Sequence, residues 1–351
     1  MILTNGGFLM FYSYSSIENT YNNDFVQKIK DRGYENIKYL ITEKIHGTNT
    51  QINYDCEEKT FTFGTRNRVL DEGENCYNLL QCVEPLKDSI VKLADIIKQS
   101  PDKFGIQGDV TNVILFGEQY GGFYPHKEVE KDKKAIKVQK AVYYSQHNQW
   151  RSFDIACKVI GKDSIVYIPG KFFMNICKEF NIPHVPELAV VESLTDALNY
   201  FESGESIIPA DNGLPPLEHN AMEGVVIRPY DQDVFFGHHR LILKHKGDKF
   251  KEKWREKKPD IQEELPDIVK QAVNEVSQFI NDNRANNVIS HFGEVSNKDI
   301  GNIIAALSKD VLDDYKKEYG TLNCMEKSEE KMVTRYVGKE AAKIVRKILF
   351  K

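Results

Sequence analysis

Short apolar and β-branched runs dominate the chain between residues 37 and 246: IKYLITEK, TQINYD, TFTFGT, VILFGEQ, RSFDIACKVI, EGVVIRP and RLILKHK, most of them beside turn residues. Runs of this length predict strands, so this part of the chain reads as sheet-rich. Two helical stretches break the pattern. Residues 171–180 follow Pro169 and Gly170, and residues 194–201 open with Ser193 and Asp196 at the separation of a capping box. Beyond KFKEKWREKKPD the period changes. Val269, Ala272, Val273, Val276 and Ile280 recur at helical spacing, and so do Val333, Tyr336, Val337, Ala341, Ile344, Val345 and Ile348. Further helices are predicted over 284–292 and 298–315, parted by a turn around Gly293. The change of period sets a domain boundary near Pro259. The expected fold is α+β: a domain over 1–258, rich in antiparallel sheet, and a small all-helical domain over 259–351.

Composition narrows the class. The chain has 351 residues, 41% of them hydrophobic, enough to bury two cores and too apolar for a disordered chain. The opening MILTNGGFLMFYSYSS has no basic start followed by an apolar core, and nowhere do 18 apolar residues run together. Neither export nor a membrane span is expected. Met10 is an alternative start to Met1. Cys56, Cys76, Cys82, Cys157, Cys177 and Cys324 form no CxxC pair, which excludes a zinc ribbon and a disulfide framework and points to a reducing, intracellular compartment, the cytoplasm. His184, His219, His238 and His239 show no metal-ligand spacing. The net charge of -5 gives no global pull toward nucleic acid. Residues 240–258 nevertheless hold nine Lys/Arg against three Asp/Glu, and residues 127–140 hold six against three, so any nucleic-acid surface is local. Nothing indicates oligomerisation.

The segment that carries chemistry is Glu43-Lys44-Ile45-His46-Gly47-Thr48-Asn49, a lysine leaving a β-like run and entering a polar turn. If the strand extends through His46, alternation puts Lys44 and His46 on one face, and Gly47 lets the backbone approach a ligand closely. To attack phosphorus, Lys44 must be a neutral amine. Phe116-Gly117-Glu118, Phe153-Asp154-Ile155, Glu223-Gly224-Val225-Val226 and Leu243-Lys244-His245-Lys246 follow in order. In its apolar strand Glu223 needs a cation or a lysine partner. Lys244 and Lys246, two apart, share a strand face and suit an anion.

This series resembles the motifs of the covalent nucleotidyltransferase superfamily, which unites RNA ligases, DNA ligases and mRNA capping enzymes. DNA ligases and capping enzymes usually carry aspartate where this chain has His46, which favours an RNA ligase. YSSIENTYN, EKIHGTNT, FGEQYGGFYP, VQKAVYYS, SFDI, EGVVIRP and KHKGDKF are most similar to the phage-type, nick-sealing RNA ligases and the kinetoplastid RNA-editing ligases, with a weaker likeness in NRANNVISHF. The resemblance implies an ATP-grasp-like nucleotidyltransferase domain followed by an RNA-docking helical domain. It implies ATP as cosubstrate, AMP held covalently on Lys44, and Mg²⁺ or Mn²⁺. The RNA substrate would bear 5′-phosphate and 3′-hydroxyl ends, at a nick in a duplex. It makes Lys44, His46, Glu223, Lys244 and Lys246 the catalytic set. Glu43 would face the adenine edge, with Ile45 beside it. Glu118 would bind the ribose hydroxyls and Phe153 would stack on the adenine. Lys244 and Lys246 would take the α-phosphate and the departing pyrophosphate. Glu223 would hold the metal, with Asn49 at the 5′-phosphate or at a metal-bound water, and Arg66 at the RNA end or a phosphate of the cofactor. A DNA ligase, a capping guanylyltransferase and a non-catalytic RNA-binding protein on the same scaffold are the alternatives.

Overall fold

A computed structural model describes residues 2–4, 7–9, 11–201, 203–250, 265–293, 295–319, 322 and 325–350. It divides into two compact units, Met1–Gly247 and Asp248–Lys351. The boundary expected at Pro259 lies outside the described residues.

In chain order the first unit carries β1 (Ile2–Thr4), β2 (Gly7–Leu9), β3 (Glu18–Asn19), α1 (Asn23–Asp31), β4 (Tyr39–Lys44), β5 (Thr48–Asp55), β6 (Thr60–Thr65), α2 (Leu79–Val83) and α3 (Lys87–Gln99). It continues with β7 (Val110–Gly121), β8 (Asn148–Val159), β9 (Val166–Tyr167), α4 (Gly170–Glu179), β10 (Glu187–Val191), α5 (Leu194–Asn199), α6 (Ile208–Asp211), β11 (Gly224–Pro229), β12 (Phe235–Phe236), β13 (His239–Arg240) and β14 (Leu243–Lys246). All seven β-like runs of the sequence lie in strands. The helices are more numerous than the sequence reading allowed. In α3 the buried residues are Ile90, Leu93, Ala94 and Ile97, which is the i, i+3, i+4, i+7 pattern of a helix lying on a sheet. In α1 only Phe25 and Ile29 are buried, too thin a stripe to stand out. Its start is fixed by Asn22, whose side chain accepts from the Phe25 N–H at 3.2 Å. The helix expected at 194–201 is capped as read, the Ser193 hydroxyl accepting from the Asp196 N–H at 3.1 Å.

Two five-stranded sheets position the site. One has the order β10-β4-β11-β14-β3, and the other β6-β5-β7-β8-β9. Pairing is antiparallel except between β14 and β3. The faces of the first sheet follow from strand alternation. Tyr39, Ile41, Val225, Ile227 and Leu243 pack outward on Phe25 and Ile29 of α1 and on Leu194 and Ala197 of α5. The opposite face carries Thr42, Lys44, Val226, Lys244 and Lys246. Val226 packs into a cluster with Ile114, Phe116, Ala156 and Tyr167 of the second sheet, so the two sheets meet face to face.

A buried ionic knot joins them. Asp154 of β8 is paired through Oδ1 with Arg228 of β11 at 2.7 Å, and through Oδ2 with Arg240 of β13. Oδ2 also accepts from the Tyr14 hydroxyl at 2.9 Å, and Arg240 Nε reaches Asp233 at 2.6 Å. Burial alone would raise the Asp154 pKa. The two guanidinium groups outweigh it and hold the carboxyl below its ordinary value. Removing one member would strand a buried charge, so the knot fixes how the sheets register.

The second unit contains α7 (Asp267–Ser277), α8 (Asp282–Ser290), α9 (Ile300–Glu318) and α10 (Lys327–Leu349). Its core gathers Val269, Val273, Val276, Ile303, Leu307, Val311, Val333, Val337 and Val345. The buried Arg284 holds Asp310 at 2.6 Å and Asp314 at 2.9 Å. Among the described residues no helix is long and apolar enough to cross a membrane.

Candidate active site

Lys44 closes β4, Gly224 opens β11 and Lys246 closes β14, and register puts Lys44 opposite Gly224 and Gly224 opposite Lys246. Residues directly paired across antiparallel strands share a face. Both lysines therefore project from the face that meets the second sheet. A side chain has no room between them, because a Cβ on Gly224 would lie 2.0 Å from the His245 carbonyl oxygen. Glu223, one residue earlier, takes both cations: its Oε1 is 2.9 Å from Lys246 Nζ and its Oε2 is 2.9 Å from Lys44 Nζ. His46 Nδ1 stands 3.3 Å from the same Oε2. Lys244 lies on this face two residues before Lys246, opposite Val226.

The electrostatics follow from this crowding. Burial would raise the Glu223 pKa, but Lys246, Lys44 and the His46 hydrogen bond together hold it well below the ordinary carboxylate range. Glu223 is thus a carboxylate throughout the neutral range, and its contribution to stability is present above the ordinary pKa and lost only in strong acid. Glu118 of β7 is the counter-case. Burial, reinforced by the Glu223 charge and only partly offset by Lys44, raises it to about 7. One oxygen, Oε1, accepts from the Gly47 N–H at 3.0 Å. Asn49 lies directly opposite Glu118 across the β5–β7 pair, and the Arg66 charge acts on Glu118 from beyond the end of β6.

The turn after Lys44 is fixed from outside. The strand stops at Lys44 rather than running through His46, yet both side chains reach Glu223. The His46 N–H donates to the Tyr144 hydroxyl at 2.8 Å, and the Gly47 carbonyl accepts from Gln139 Nε2 at 3.2 Å. The sequence predicts that Gly47 lets the backbone approach a ligand closely. Its necessity here comes from β7 instead, since a Cβ would lie 2.2 Å from the Gln119 carbonyl oxygen and 2.9 Å from Glu118 Cγ.

Glu43, Ile45 and Phe153 of the expected set make none of the contacts to Glu223 described above. Glu43 points to the other side of β4 and accepts from the Ile207 N–H at 3.2 Å; its Oε1 is buried without a partner. Burial raises its pKa to about 7 against hydrogen bonds from Ser206 and Ile207 that lower it. Ile45 is a core residue, 3% exposed. Phe153 occupies the bulge of β8 where the register against Phe116 and Gly117 shifts, and its ring lies 5.0 Å from that of Tyr14, edge to face. A bulge re-aims the side chain it carries. Lys44, His46, Glu223, Lys246 and Glu118 are brought together. Sequence reasoning assigned no role to Tyr144 or Gln139, although both lie in VQKAVYYS, a segment that carried the family likeness.

The profile of the RNA ligase family matches residues 37–246, and that of the T4 RNA ligase 2 C-terminal region matches residues 262–343. This chain belongs to the RNA ligase family. The chain is similar to the mitochondrial RNA-editing ligase 2 of Trypanosoma brucei brucei, with 25% identity over 139 residues, 39% of this chain and 32% of that protein. Among solved structures it is similar to a Naegleria gruberi RNA ligase with PPi, at a TM-score of 0.43 and 17% identity, covering 69% of this chain and 58% of that one. A mutant form of the Naegleria ligase with AMP and Mn gives a TM-score of 0.45 and 16% identity over the same shares. The chain thus spans about a third of the editing ligase and under three fifths of the Naegleria chain.

Proposed function

We propose that this RNA ligase is ATP-dependent, that Lys44 becomes covalently adenylylated, and that the chain joins RNA 5′-phosphate and 3′-hydroxyl ends at nicks in duplex RNA. The observation that carries the reading is the meeting of Lys44 and Lys246, from two strands of one sheet, on the buried carboxylate of Glu223. A nucleophile, a second fixed cation and a carboxylate able to exchange partners are what transfer of a nucleotidyl group requires.

In the first step the Lys44 amine attacks the α-phosphorus of ATP; the N–P bond forms as the P–O bond to pyrophosphate breaks. Lys244 and Lys246 stabilise the charge gathering on the phosphates. Next a 5′-phosphate oxygen of RNA attacks the lysyl-AMP, Lys44 leaves, and the RNA end carries a 5′-5′ adenylate. The 3′-hydroxyl then attacks in line and AMP departs. Positioning and fixed charge supply most of the rate. Glu118 offers an acceptor to the ribose hydroxyls, and its raised pKa lets it also donate near neutrality.

Among the described residues no three His, Cys, Asp or Glu side chains are grouped to hold a metal ion. The single buried carboxylate of Glu223 fits Mg²⁺ or Mn²⁺ held together with phosphate oxygens, since Mg²⁺ is commonly bound by one or two carboxylates and the substrate. Such a cation, held by Glu223, would supply charge neutralisation at the pyrophosphate. We assign adenylylation to residues 1–258 and RNA docking to 259–351, supported by the helical periodicity beyond Pro259 and by the two matched profiles.

The test is joining, with ATP and Mg²⁺, of nicked duplex RNA, single-stranded RNA and nicked DNA. Preferential sealing of nicked RNA is expected. Equal sealing of nicked DNA, or transfer of label from GTP rather than ATP, would overturn the assignment.

A further inference from the structure

Between β7 and β8 the chain makes an excursion over residues 122–147 without regular secondary structure. Excursions of this length inside a compact domain are uncommon and usually functional. This one has a defined shape. Its base is closed by Val138 N–H on the Gly121 carbonyl at 3.1 Å and Phe123 N–H on the Ser145 carbonyl at 3.1 Å. The Asn148 side chain accepts from the Ile136 N–H at 2.8 Å and donates to its carbonyl at 2.7 Å. His147 Nδ1 lies 2.7 Å from Asp132.

The lobe carries Lys127, Lys131, Lys133, Lys134, Lys137 and Lys140, all exposed. Several surface lysines elsewhere are paired, as Lys38 is with Glu192, Lys171 with Asp231 and Lys347 with Asp282. None of the lobe's six makes an ion pair among the described residues. On a chain of net charge -5, six lysines against Glu128, Glu130 and Asp132 give a local surplus of three positive charges. Lys137 lies over two rings, 4.6 Å from the centre of Phe123 and 5.2 Å from that of Tyr143. Partial burial, then the Lys140 charge, lowers its pKa. A concentrated set of exposed cations without ion-pair partners is one that a polyanion would stabilise.

The same lobe is rooted at the nucleophile. Gln139 donates to the Gly47 carbonyl, and Tyr144, on the same excursion, accepts from the His46 N–H. A strand held on the lobe is therefore delivered beside the turn that carries Lys44. We propose that residues 122–147 form a second docking surface, in addition to the one assigned to 259–351, and that it takes the ribose-phosphate backbone of the RNA next to the end being joined. This rests on the RNA-ligase reading above and adds the place at which substrate is captured.

The experiment compares Lys127→Ala/Lys131→Ala/Lys133→Ala/Lys134→Ala with a charge-matched control, Lys92→Ala/Lys98→Ala/Lys103→Ala/Lys162→Ala, whose lysines are exposed outside the lobe. Binding of nicked duplex RNA is measured by fluorescence anisotropy across a salt series, and lysyl-AMP formation is followed in parallel. The lobe variant should bind at least about tenfold more weakly at low salt, with the slope of log K against log salt reduced by about 2 to 3, because each lost phosphate contact removes about 0.7 to 0.9. It should form lysyl-AMP at the unchanged rate. Equal losses in lobe and control variants would overturn the proposal, as would a lobe variant that keeps RNA affinity but loses lysyl-AMP. A wild-type chain that binds RNA through the lobe yet never labels with ATP would instead refute the ligase reading.

Discussion

Replacing Glu43 by glutamine tests the electrostatics of the strand that presents Lys44. Glu43 is 1% exposed, and burial raises its pKa from 4.5 to about 7. A carboxyl raised in the folded state adds stability that is complete below its unfolded value and disappears as pH climbs through the folded one. Here the window runs from 4.5 to about 7. Above it the charged form is disfavoured by about 3 kcal/mol, at about 1.4 kcal/mol per pH unit. Glu43→Gln removes that cost while its amide oxygen keeps the Ile207 N–H. Its amide nitrogen falls where Glu43 Oε1 has no partner, an offset that does not vary with pH. The advantage of the variant over the wild type should therefore grow by about 2 to 3 kcal/mol between about pH 5 and pH 8. Urea unfolding of the first unit, followed through Trp150 fluorescence in a Trp254→Phe background, measures it. A stability difference that is the same at both pH values would refute the reasoning.

Three further outcomes follow from the geometry. Lys246→Ala should slow lysyl-AMP formation at least about tenfold, the usual loss on removing one fixed cation at a transferring phosphoryl group, whereas Lys38→Ala, on an exposed pair with Glu192, should leave the rate within about twofold; rapid-quench labelling separates them. Gly47→Ala should cost about 1 to 3 kcal/mol of stability, because the new methyl meets the Gln119 carbonyl, and should depress adenylylation with it; a variant with wild-type melting and rate would contradict the packing account. Arg284→Ala should destabilise the helical unit by about 1 to 3 kcal/mol, since the packing of its buried side chain is lost while Asp310 and Asp314, both partly exposed, return to solvent, as read by denaturation of the full chain.

Much of this arrangement was legible in the sequence, and the limits are physical. Strand runs such as LITEK and GVVIRP declare themselves by β-branched composition, and LKHK fixes by alternation that Lys244 and Lys246 share a face. A buried Glu223 beside apolar residues demanded cationic partners, and Lys44 and Lys246 are those partners. What sequence could not give was register. Nothing in EKIHG or EGVV says that Lys44 stands opposite Gly224, and that pairing decides which lysines converge. Glu43 shows the same limit, for alternation turns it away from Lys44 onto Ile207. Phe153 sits on a bulge, which period-two reasoning cannot anticipate. Gln139 and Tyr144 act from a segment without periodicity, where only the fold reveals that they hold the turn after Lys44. The helix α3 is a different case, since Ile90, Leu93, Ala94 and Ile97 carry its period in the sequence itself.

The central claim is that Lys44 is the nucleophile of the first step and only a bystander in the last. Lys44→Ala should be tested in two reactions side by side, transfer of label from ATP labelled at the α-phosphate to the protein, and joining of RNA already bearing a 5′-adenylate. The account predicts that labelling disappears while joining of the adenylated RNA persists, because the pocket around Glu223 and Lys246 remains. Continued labelling of the variant, or loss of both reactions to the same extent, would contradict it.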